Sequence, residues 1–254
     1  MYLTKNWTGR RRPTIPLSLT TLAGAAALVG VTALTTPAHA VFGGKDTPVP
    51  ESWMVSLQTK GEPFCGGTLI DREWVLTAFH CVGHGEIPKD AIQLRIGSLN
   101  AGKGGTVAKV KQIVNHPDAK YDGTVFSGPD LALLKLDKPV RHAPARLNRT
   151  PLPTGTSARM LGWGNACLPE PCAPDQLQEL ELPLSKKSND KLHFEDDQFR
   201  GTGPGDSGGP LVVRSGNGWR LAGVTSSGYQ SDTHARSTFT DVTRYRKWIA
   251  RSIK

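Results

Sequence analysis

The sequence shows no internal repeat and no C-x2-C pair, and its first forty residues contain no acidic side chain. Its 254 residues are 37% hydrophobic and 21% charged, with 28 glycines and 19 prolines. This composition is too apolar and too mixed in charge for a disordered chain. The length suits one large all-β unit or two small domains.

Cysteine is scarce, and all four cysteines lie after residue 40. The four positions are Cys65, Cys81, Cys167 and Cys172. An even count in an exported protein predicts two disulfides, and of the three connectivities we favour 65–81 and 167–172, because each pair brackets one compact segment. Metal ligation is the alternative: His80 and His84 are spaced like ligands on a helix, but no third ligand is evident nearby. No metal and no cofactor are therefore expected.

The N-terminal segment has the pattern of a secretory signal peptide. Lys5 and Arg10–Arg12 form a basic head, the weakly apolar run 15–34 follows, and Ala38-His39-Ala40 provides a small-x-small cleavage site. A membrane anchor is the alternative, but a proline, two glycines and several threonines interrupt the run. We predict that residues 1–40 are removed and that the protein is secreted, by either the general or the twin-arginine route. Removal lowers the formal charge from +9 to +5.

The remaining sequence is a series of short apolar or alternating segments separated by turn residues, a pattern typical of barrels and sandwiches. Residues 92–96 alternate clearly, and residues 131–136 form a buried run. A proline-rich crossing at 139–153 separates two halves, and residues 242–253 have apolar positions at helical spacing. The sequence therefore predicts an all-β fold of two barrels with about six strands each, followed by a C-terminal helix.

One glycine-rich stretch, Gly205-Asp206-Ser207-Gly208-Gly209-Pro210, carries the chemistry of interest. A serine hydroxyl is a poor nucleophile unless a base removes its proton and donors receive the oxyanion. Glycines on both sides allow a tight turn that exposes Ser207 while amides point to the same spot. Taken alone, the stretch could equally be a surface turn.

Two other residues give that serine its partners. His80 ends a buried segment and can transfer a proton in both directions during acyl transfer. Asp130 lies at the mouth of an apolar strand, where its carboxylate needs an imidazole N–H to offset the cost of burial. Individually His80 could be a packed histidine and Asp130 a turn cap, but the order His, Asp, Ser favours a catalytic triad.

From Val41 to the C-terminal helix, the chain resembles the chymotrypsin/trypsin family of serine peptidases, in its bacterial trypsin-like type. The matching motifs are Val41-Phe42-Gly43-Gly44, Cys65-Gly66-Gly67-Thr68-Leu69-Ile70, Ala78-Phe79-His80-Cys81, Asp130-Leu131-Ala132-Leu133-Leu134, Gly162-Trp163-Gly164 and the Ser207 stretch. The resemblance implies one peptidase domain over 41–254. Its two six-stranded antiparallel barrels would span about 41–140 and 150–240, with the active site between them and the helix at about 242–253.

The resemblance also implies the roles of the site residues. Ser207 attacks the scissile carbonyl, His80 transfers the proton and Asp130 holds the imidazole. The backbone N–H groups of Gly205 and Ser207 receive the oxyanion, and a free Val41 ammonium pairs with Asp206 on activation. The activating motif follows Ala40 directly, so we expect signal cleavage itself to create that ammonium.

The same resemblance places the substrate pocket. Its implied lining is Gly201, Thr202, Ser226, Ser227, Gly228 and Ser237. Trypsin-like members carry an aspartate at the floor position, which is Gly201 here, so we expect an uncharged residue at P1. The alternatives are an acidic P1, and a basic P1 if Asp196, Asp197 or Asp232 enters the pocket. The family's usual disulfide beside the serine loop is also absent, because Gly203 occupies the place of its cysteine.

Protein or peptide substrates and protein protease inhibitors are the expected partners of a monomeric enzyme. The basic residues are scattered among acids along the sequence, so no nucleic-acid surface and no membrane anchor are expected. A binding protein on an inactive peptidase scaffold is the alternative from another class. Such proteins normally lack the serine or the histidine, whereas this chain retains the whole triad.

Overall fold

The computed structural model describes residues 41–165, 172–230 and 234–254. Over these residues the strands are β1 (Lys45–Asp46), β2 (Met54–Thr59), β3 (Glu62–Asp71), β4 (Trp74–Thr77), β5 (Ile92–Ile96), β6 (Thr106–Asn115), β7 (Lys120–Tyr121), β8 (Phe126–Ser127), β9 (Ala132–Leu136), β10 (Arg146–Leu147), β11 (Ser157–Gly162), β12 (Gln178–Pro183), β13 (Lys186–Ser188), β14 (Lys191–Asp196), β15 (Pro210–Ser215), β16 (Gly218–Gln230) and β17 (Ala235–Asp241). The helices are α1 (Phe79–Val82), a 3-10 turn at Lys89–Ala91, and α2 (Val242–Ser252).

Six strands of the first half close into a barrel in the order β2-β3-β4-β9-β6-β5. Alternation in the sequence sets which side chains face inward. In β5, Ile92, Leu94 and Ile96 are buried while Gln93 between them is exposed. Strand β9 is apolar almost throughout and is buried accordingly. Strand β4 precedes His80 and strand β9 follows Asp130, and the two strands are direct neighbours in this barrel.

The second half forms a nine-stranded sheet whose main path runs β1-β12-β11-β15-β16-β17-β14-β13. Strand β10 joins it by parallel pairing with β16. In the described part of the chain, no ladder joins β12 to β14, so the pairing does not close as it does in the first half. A separate core, which includes Val41, Met160, Phe194 and Phe239, lies against this sheet.

Helix α2 ends the chain and begins at a side-chain cap. The Asp241 carboxylate accepts the backbone N–H of Thr243 at 2.9 Å, which satisfies one of the free donors of the first turn. Ile249 of this helix is buried with the first core, and Tyr245 and Trp248 contact His116. The amphipathic spacing predicted from the sequence therefore corresponds to real packing.

The predicted all-β fold with a C-terminal helix is confirmed, and one six-stranded barrel is closed. The second half is consistent with a barrel but appears as the open sheet path above. Among the described residues, no helix has the length and apolar character needed to cross a bilayer. The predicted signal segment, 1–40, lies outside the described residues, and the domain boundaries stay predictions.

Candidate active site

Asp130 and His80 form a directly bonded pair. The Asp130 side chain is 11% exposed, and its Oδ2 atom lies 2.8 Å from His80 Nδ1. Its other oxygen accepts the backbone N–H of His80 at 2.9 Å. The Ser226 hydroxyl donates to Oδ2 at 2.7 Å. Three donors on one buried carboxylate fix both its position and that of the imidazole.

These contacts determine the charge state of the pair. Burial acts to raise the pKa of Asp130, but the hydrogen bond and charge of His80, together with the Ser226 hydroxyl, outweigh it and hold the pKa below its usual value. An ionised Asp130 accepts the proton on Nδ1. The lone pair of His80 then lies on Nε2, which is the nitrogen that can act as a base.

His80 lies three residues after the end of β4. After Thr77 the chain turns into the single-turn helix α1, which carries His80, Cys81 and Val82. The Cys65–Cys81 disulfide ties this helix to β3, as predicted. In the chain-entropy model, closing a loop of this size contributes about 3 kcal/mol to the free energy of unfolding.

Ser207 lies in a tight turn that only glycine neighbours permit. Gly205 and Gly208 have φ values of +96° and +77°. A Cβ on Gly208 would lie 2.2 Å from Thr77 Oγ1, so this backbone packs directly on the end of β4. The Ser207 carbonyl accepts the backbone N–H of Gly66 at 2.7 Å, which links the serine turn to β3 of the first barrel.

The donors expected for an oxyanion are unoccupied. Within the described residues, the backbone N–H groups of Gly205 and Ser207 form no hydrogen bond. The Ser207 hydroxyl likewise forms none, and its side chain is partly exposed. The structure therefore brings Ser207 and His80 to the same junction of β3 and β4 without a formed hydrogen bond between their side chains.

Asp206 is buried without a counter-charge. Its carboxylate accepts the backbone N–H groups of Gly164 and Gly203, each at 2.8 Å. Burial raises the pKa of Asp206 to about 6, and these two hydrogen bonds offset only part of that effect. Of the cations that the structure describes, none contacts this carboxylate. A Cβ on Gly162 or Gly164 would collide with it, so these glycines keep the space that the carboxylate fills.

The Val41 segment is docked against the second sheet. Val41 is fully buried in the second core, with a φ of 57°, which is unfavourable for a β-branched residue. The Phe42 carbonyl accepts the N–H of Gly201 at 3.0 Å. A Cβ on Gly203 would lie 3.0 Å from the Phe42 ring. The segment predicted to activate the site therefore contacts both ends of the stretch 201–203.

The predicted substrate-pocket residues fall into two groups. The Ser237 hydroxyl lies at the predicted pocket floor. It accepts the Thr202 N–H at 2.8 Å and lies 2.7 Å from where a Cβ on Gly201 would be. Gly228 pairs with Ser237 in the β16–β17 ladder, and a Cβ there would lie 2.3 Å from the Thr202 carbonyl oxygen. The Ser226 hydroxyl donates to Asp130, as described above, and Ser226 also lines the pocket beside His80.

The remaining pocket candidates are placed as follows. Ser227 is exposed on β16, directly after a register shift in its ladder. Asp196 is held by the guanidinium of Arg200, with Nε and Nη2 at 3.1 and 2.7 Å from its two oxygens. Asp197 is exposed, and Asp232 lies outside the described residues. Among the described residues, no carboxylate contacts Gly201 or Thr202.

A pocket of about 380 Å³ opens beside the imidazole of His80. Several of its lining residues were not identified from the sequence. It is lined by Phe79, His80, Phe126, Ser127, Gly128, Asp130, Lys191 and Ser226. The ring of Phe126 lies 6.0 Å from that of His80, and Tyr121 stacks on Phe126. Only the position of Phe126, four residues before Asp130, could have indicated its place.

The cysteine and histidine cluster is not a thiolate site. Cys65, Cys81 and His80 lie close together, but both sulfur atoms are consumed by the disulfide. His84 lies against the His80 carbonyl, with its Nε2 at 2.8 Å. Cys172 is also disulfide-bonded. Its predicted partner, Cys167, lies outside the described residues, so that pairing stays a prediction.

Comparison with known proteins identifies the family. The profile of the trypsin family matches residues 41–249. Trypsin theta of Drosophila melanogaster is 32% identical over 236 residues, which covers 82% of this chain and 84% of that protein. Tryptase of Mus musculus is 32% identical, with coverage of 78% and 82%. Trypsin 5G1 of Aedes aegypti is 36% identical, with coverage of 74% and 75%.

These relatives come from animals, so they do not support the bacterial type that the sequence suggested. The family itself accounts for the buried aspartate–histidine pair, the glycine-bounded serine and the apolar β fold. The chain belongs to the trypsin family of serine proteases and is a serine endopeptidase.

Proposed function

We propose that this protein is a secreted endopeptidase that hydrolyses peptide bonds through Ser207, His80 and Asp130. The observation that carries the proposal is the 2.8 Å contact between His80 Nδ1 and the buried Asp130 carboxylate, beside the glycine-bounded Ser207 turn. A carboxylate in this position orients the imidazole and stabilises it once it is protonated. Burying a carboxylate is costly unless it is paired, and the pairing with His80 is the one that acyl transfer uses.

The steps follow from these groups. His80 Nε2 removes the Ser207 hydroxyl proton as the oxygen attacks the substrate carbonyl. The N–H groups of Gly205 and Ser207 donate to the oxyanion of the tetrahedral intermediate. Protonated His80 gives the proton to the leaving amine, which departs and leaves an acyl-enzyme. Water, activated by the same imidazole, then releases the carboxylic acid and restores Ser207.

For the P1 residue we propose an uncharged side chain. The Ser237 hydroxyl closes on the floor at Gly201 and Thr202, and it shortens the space there. A lysine or arginine inserted at this place would be buried without a carboxylate among the described residues. A small to medium or aromatic side chain involves no such cost. Protein and peptide substrates, and protein inhibitors that occupy the same cleft, are the proposed partners of a monomeric enzyme.

For activation we propose that release of Val41 completes the site. Asp206 is a buried carboxylate whose pKa is raised to about 6, and the Val41 segment is already buried against the same second half of the molecule. A new ammonium at Val41 would supply the missing charge and hold the 203–207 backbone in place. We propose that removal of 1–40 both exports the protein and creates this ammonium.

The central proposal is tested by covalent trapping. A sulfonyl fluoride reagent should add one sulfonyl group to the active protein, and mass mapping should place it on Ser207. Ser207→Ala should remain unlabelled and lose about 10⁶-fold in kcat toward a peptide ester. Ser157→Ala is the matched control, because Ser157 is exposed on a strand away from His80. Labelling of another residue, or an alanine variant within about tenfold of wild type, would exclude Ser207 as the nucleophile.

A further inference from the structure

Four arginines line one groove that has no part in the site above. Arg146, Arg149, Arg220 and Arg246 surround a space of about 620 Å³ between β10, β16 and α2, together with Ile70, Leu147 and Ala250. The groove shares no lining residue with the pocket beside His80. These arginines are separated by up to a hundred positions in the sequence, so only the fold gathers them.

Two of these arginines face each other in the sheet. Strand β10 pairs with β16 in parallel, and Arg146 is the direct partner of Arg220 in that register. Like charges held on adjacent residues of neighbouring strands repel one another. Arg220 donates its Nε–H to the Ser215 hydroxyl at 2.7 Å, a contact that does not reduce the charge.

The positive charge of the groove is not neutralised by the protein. Within the described residues, Arg146, Arg149 and Arg246 take part in no ion pair, and no aspartate or glutamate lines the groove. Arg159, by contrast, contacts Glu179, and Arg200 contacts Asp196. A cluster of arginines without acidic partners is typical of an anion-binding surface.

We propose that this groove binds a soluble ligand that carries two or more phosphate groups. One guanidinium group can donate two parallel hydrogen bonds to the oxygens of a phosphate. Each phosphate monoester carries a charge of about −1.5 to −2 at neutral pH. A single carboxylate would leave most of the four positive charges uncompensated. Two or three closely spaced phosphates would balance them and would relieve the repulsion between Arg146 and Arg220.

The neighbouring surface argues against single-stranded nucleic acid as the ligand. A second groove of about 310 Å³ continues the first and includes Trp219. Base recognition along a strand depends on stacking on exposed aromatic faces. The Trp219 ring already has the guanidinium groups of Arg159 and Arg214 at 4.4 and 4.2 Å from its centroid. This surface therefore favours a ligand that is bound by the charge of the four arginines over one that is bound by stacking.

The experiment measures binding of tripolyphosphate to the purified protein by calorimetry at physiological ionic strength, where unspecific surface attraction is largely screened. Arg146→Gln/Arg220→Gln and Arg246→Gln should each weaken binding by at least about tenfold, because each loses charge-assisted hydrogen bonds. The matched control is Arg251→Gln. It lies on the same helix α2, is exposed and does not line the groove, so its affinity should stay within about twofold of wild type.

A stability measurement on the same variants separates a ligand site from a structural role. Without ligand, Arg146→Gln/Arg220→Gln should unfold at the same temperature as wild type or higher, because a repulsive pair is lost. Equal tripolyphosphate affinity in this variant and in wild type would overturn the proposal. Binding to phosphatidic acid vesicles or to a single-stranded oligonucleotide, without tripolyphosphate binding, would overturn it in favour of a lipid surface or a nucleic acid. Hydrolysis of a peptide ester by all three variants should match wild type, so the result is independent of the triad.

Discussion

Asp130 is held by more donors than a single ion pair needs. The His80 side chain, the His80 backbone N–H and the Ser226 hydroxyl all donate to its two oxygens. Together they hold the pKa of this carboxylate below its usual value, although burial alone would raise it. At the scale of one residue, the contribution of Ser226 is therefore to position Asp130 and not to touch the substrate bond.

Ser226→Ala should lower kcat by about tenfold while KM changes little. The variant loses one hydrogen bond to a charged group, but two donors from His80 remain. Steady-state kinetics on a peptide ester tests this, with Ser157→Ala as the control. Asp130→Asn should lower kcat far more, by about 10⁴-fold, the magnitude established for this change in the trypsin family, because the amide favours the wrong imidazole tautomer. Equal losses in the two variants would contradict a positioning role for Ser226.

Two neighbouring strands, β16 and β17, decide the shape of the substrate pocket at the scale of elements. Their ladder sets Gly228 opposite Ser237, and the Ser237 hydroxyl then bonds to the Thr202 N–H. The Thr202 hydroxyl oxygen is buried without a partner in the described structure. A polar group left unsatisfied in this way can accept or donate to a group that enters the pocket.

The β16–β17 wall predicts preference for leucine over arginine at P1, by at least about tenfold in kcat/KM, because an arginine would be buried unpaired. Paired chromogenic substrates that differ only at P1 measure it. The matched variant is Gly201→Asp combined with Ser237→Gly, since a Cβ on Gly201 would otherwise lie 2.7 Å from the Ser237 hydroxyl. This double variant should reverse the preference. A wild-type enzyme that favours arginine would show that the pocket proposal is wrong.

Activation belongs to the scale of the whole molecule, because its two partners are far apart in the chain. Val41 and Asp206 are separated by 165 positions, and both are buried, Val41 in the core that lies against the second sheet. Before cleavage, Val41 is joined to Ala40 and has no ammonium. A buried charge without its partner costs roughly 3–5 kcal/mol, so we expect the geometry of the proposed oxyanion donors to depend on this pairing.

A form that begins at Val41 should be at least about a hundredfold more active than one with a methionine before Val41, which corresponds to the lower end of that cost. The two forms should also differ in their pH dependence. In the uncleaved chain the pKa of Asp206 is raised from 3.8 to about 6. Its neutral form therefore stabilises the folded state fully below about pH 4, and this contribution is lost as the pH rises through about 6.

Chemical denaturation between pH 4 and pH 7 measures this difference, with a loss on the order of 3 kcal/mol in the methionine-extended form. The form that begins at Val41 should not show the loss, since its ammonium favours the ionised carboxylate. Sequencing the N-terminus of the secreted protein gives the second readout. Normal activity in the extended form, or a secreted active enzyme that begins upstream of Val41, would contradict the activation proposal.

The sequence by itself determined the fold class, because alternation and short apolar runs dictate which side chains can be buried. It also predicted the reacting groups, since the order His80, Asp130, Ser207 within these motifs favours a triad over three unrelated local roles. The Cys65–Cys81 disulfide followed from the spacing of the cysteines, and it is confirmed.

Only the tertiary structure decided which distant groups meet. Ser226 was predicted only as a pocket residue, and the structure adds the bond from its hydroxyl to Asp130. Phe126 lines the pocket beside His80 although its loop has no periodicity to indicate a buried face. The arginines that looked scattered along the sequence converge because β10 pairs with β16 and α2 packs beside them. The local sequence pattern indicates whether each side chain faces the core or the solvent. Contacts between residues a hundred positions apart depend on strand register and on packing between elements, which a local pattern does not specify.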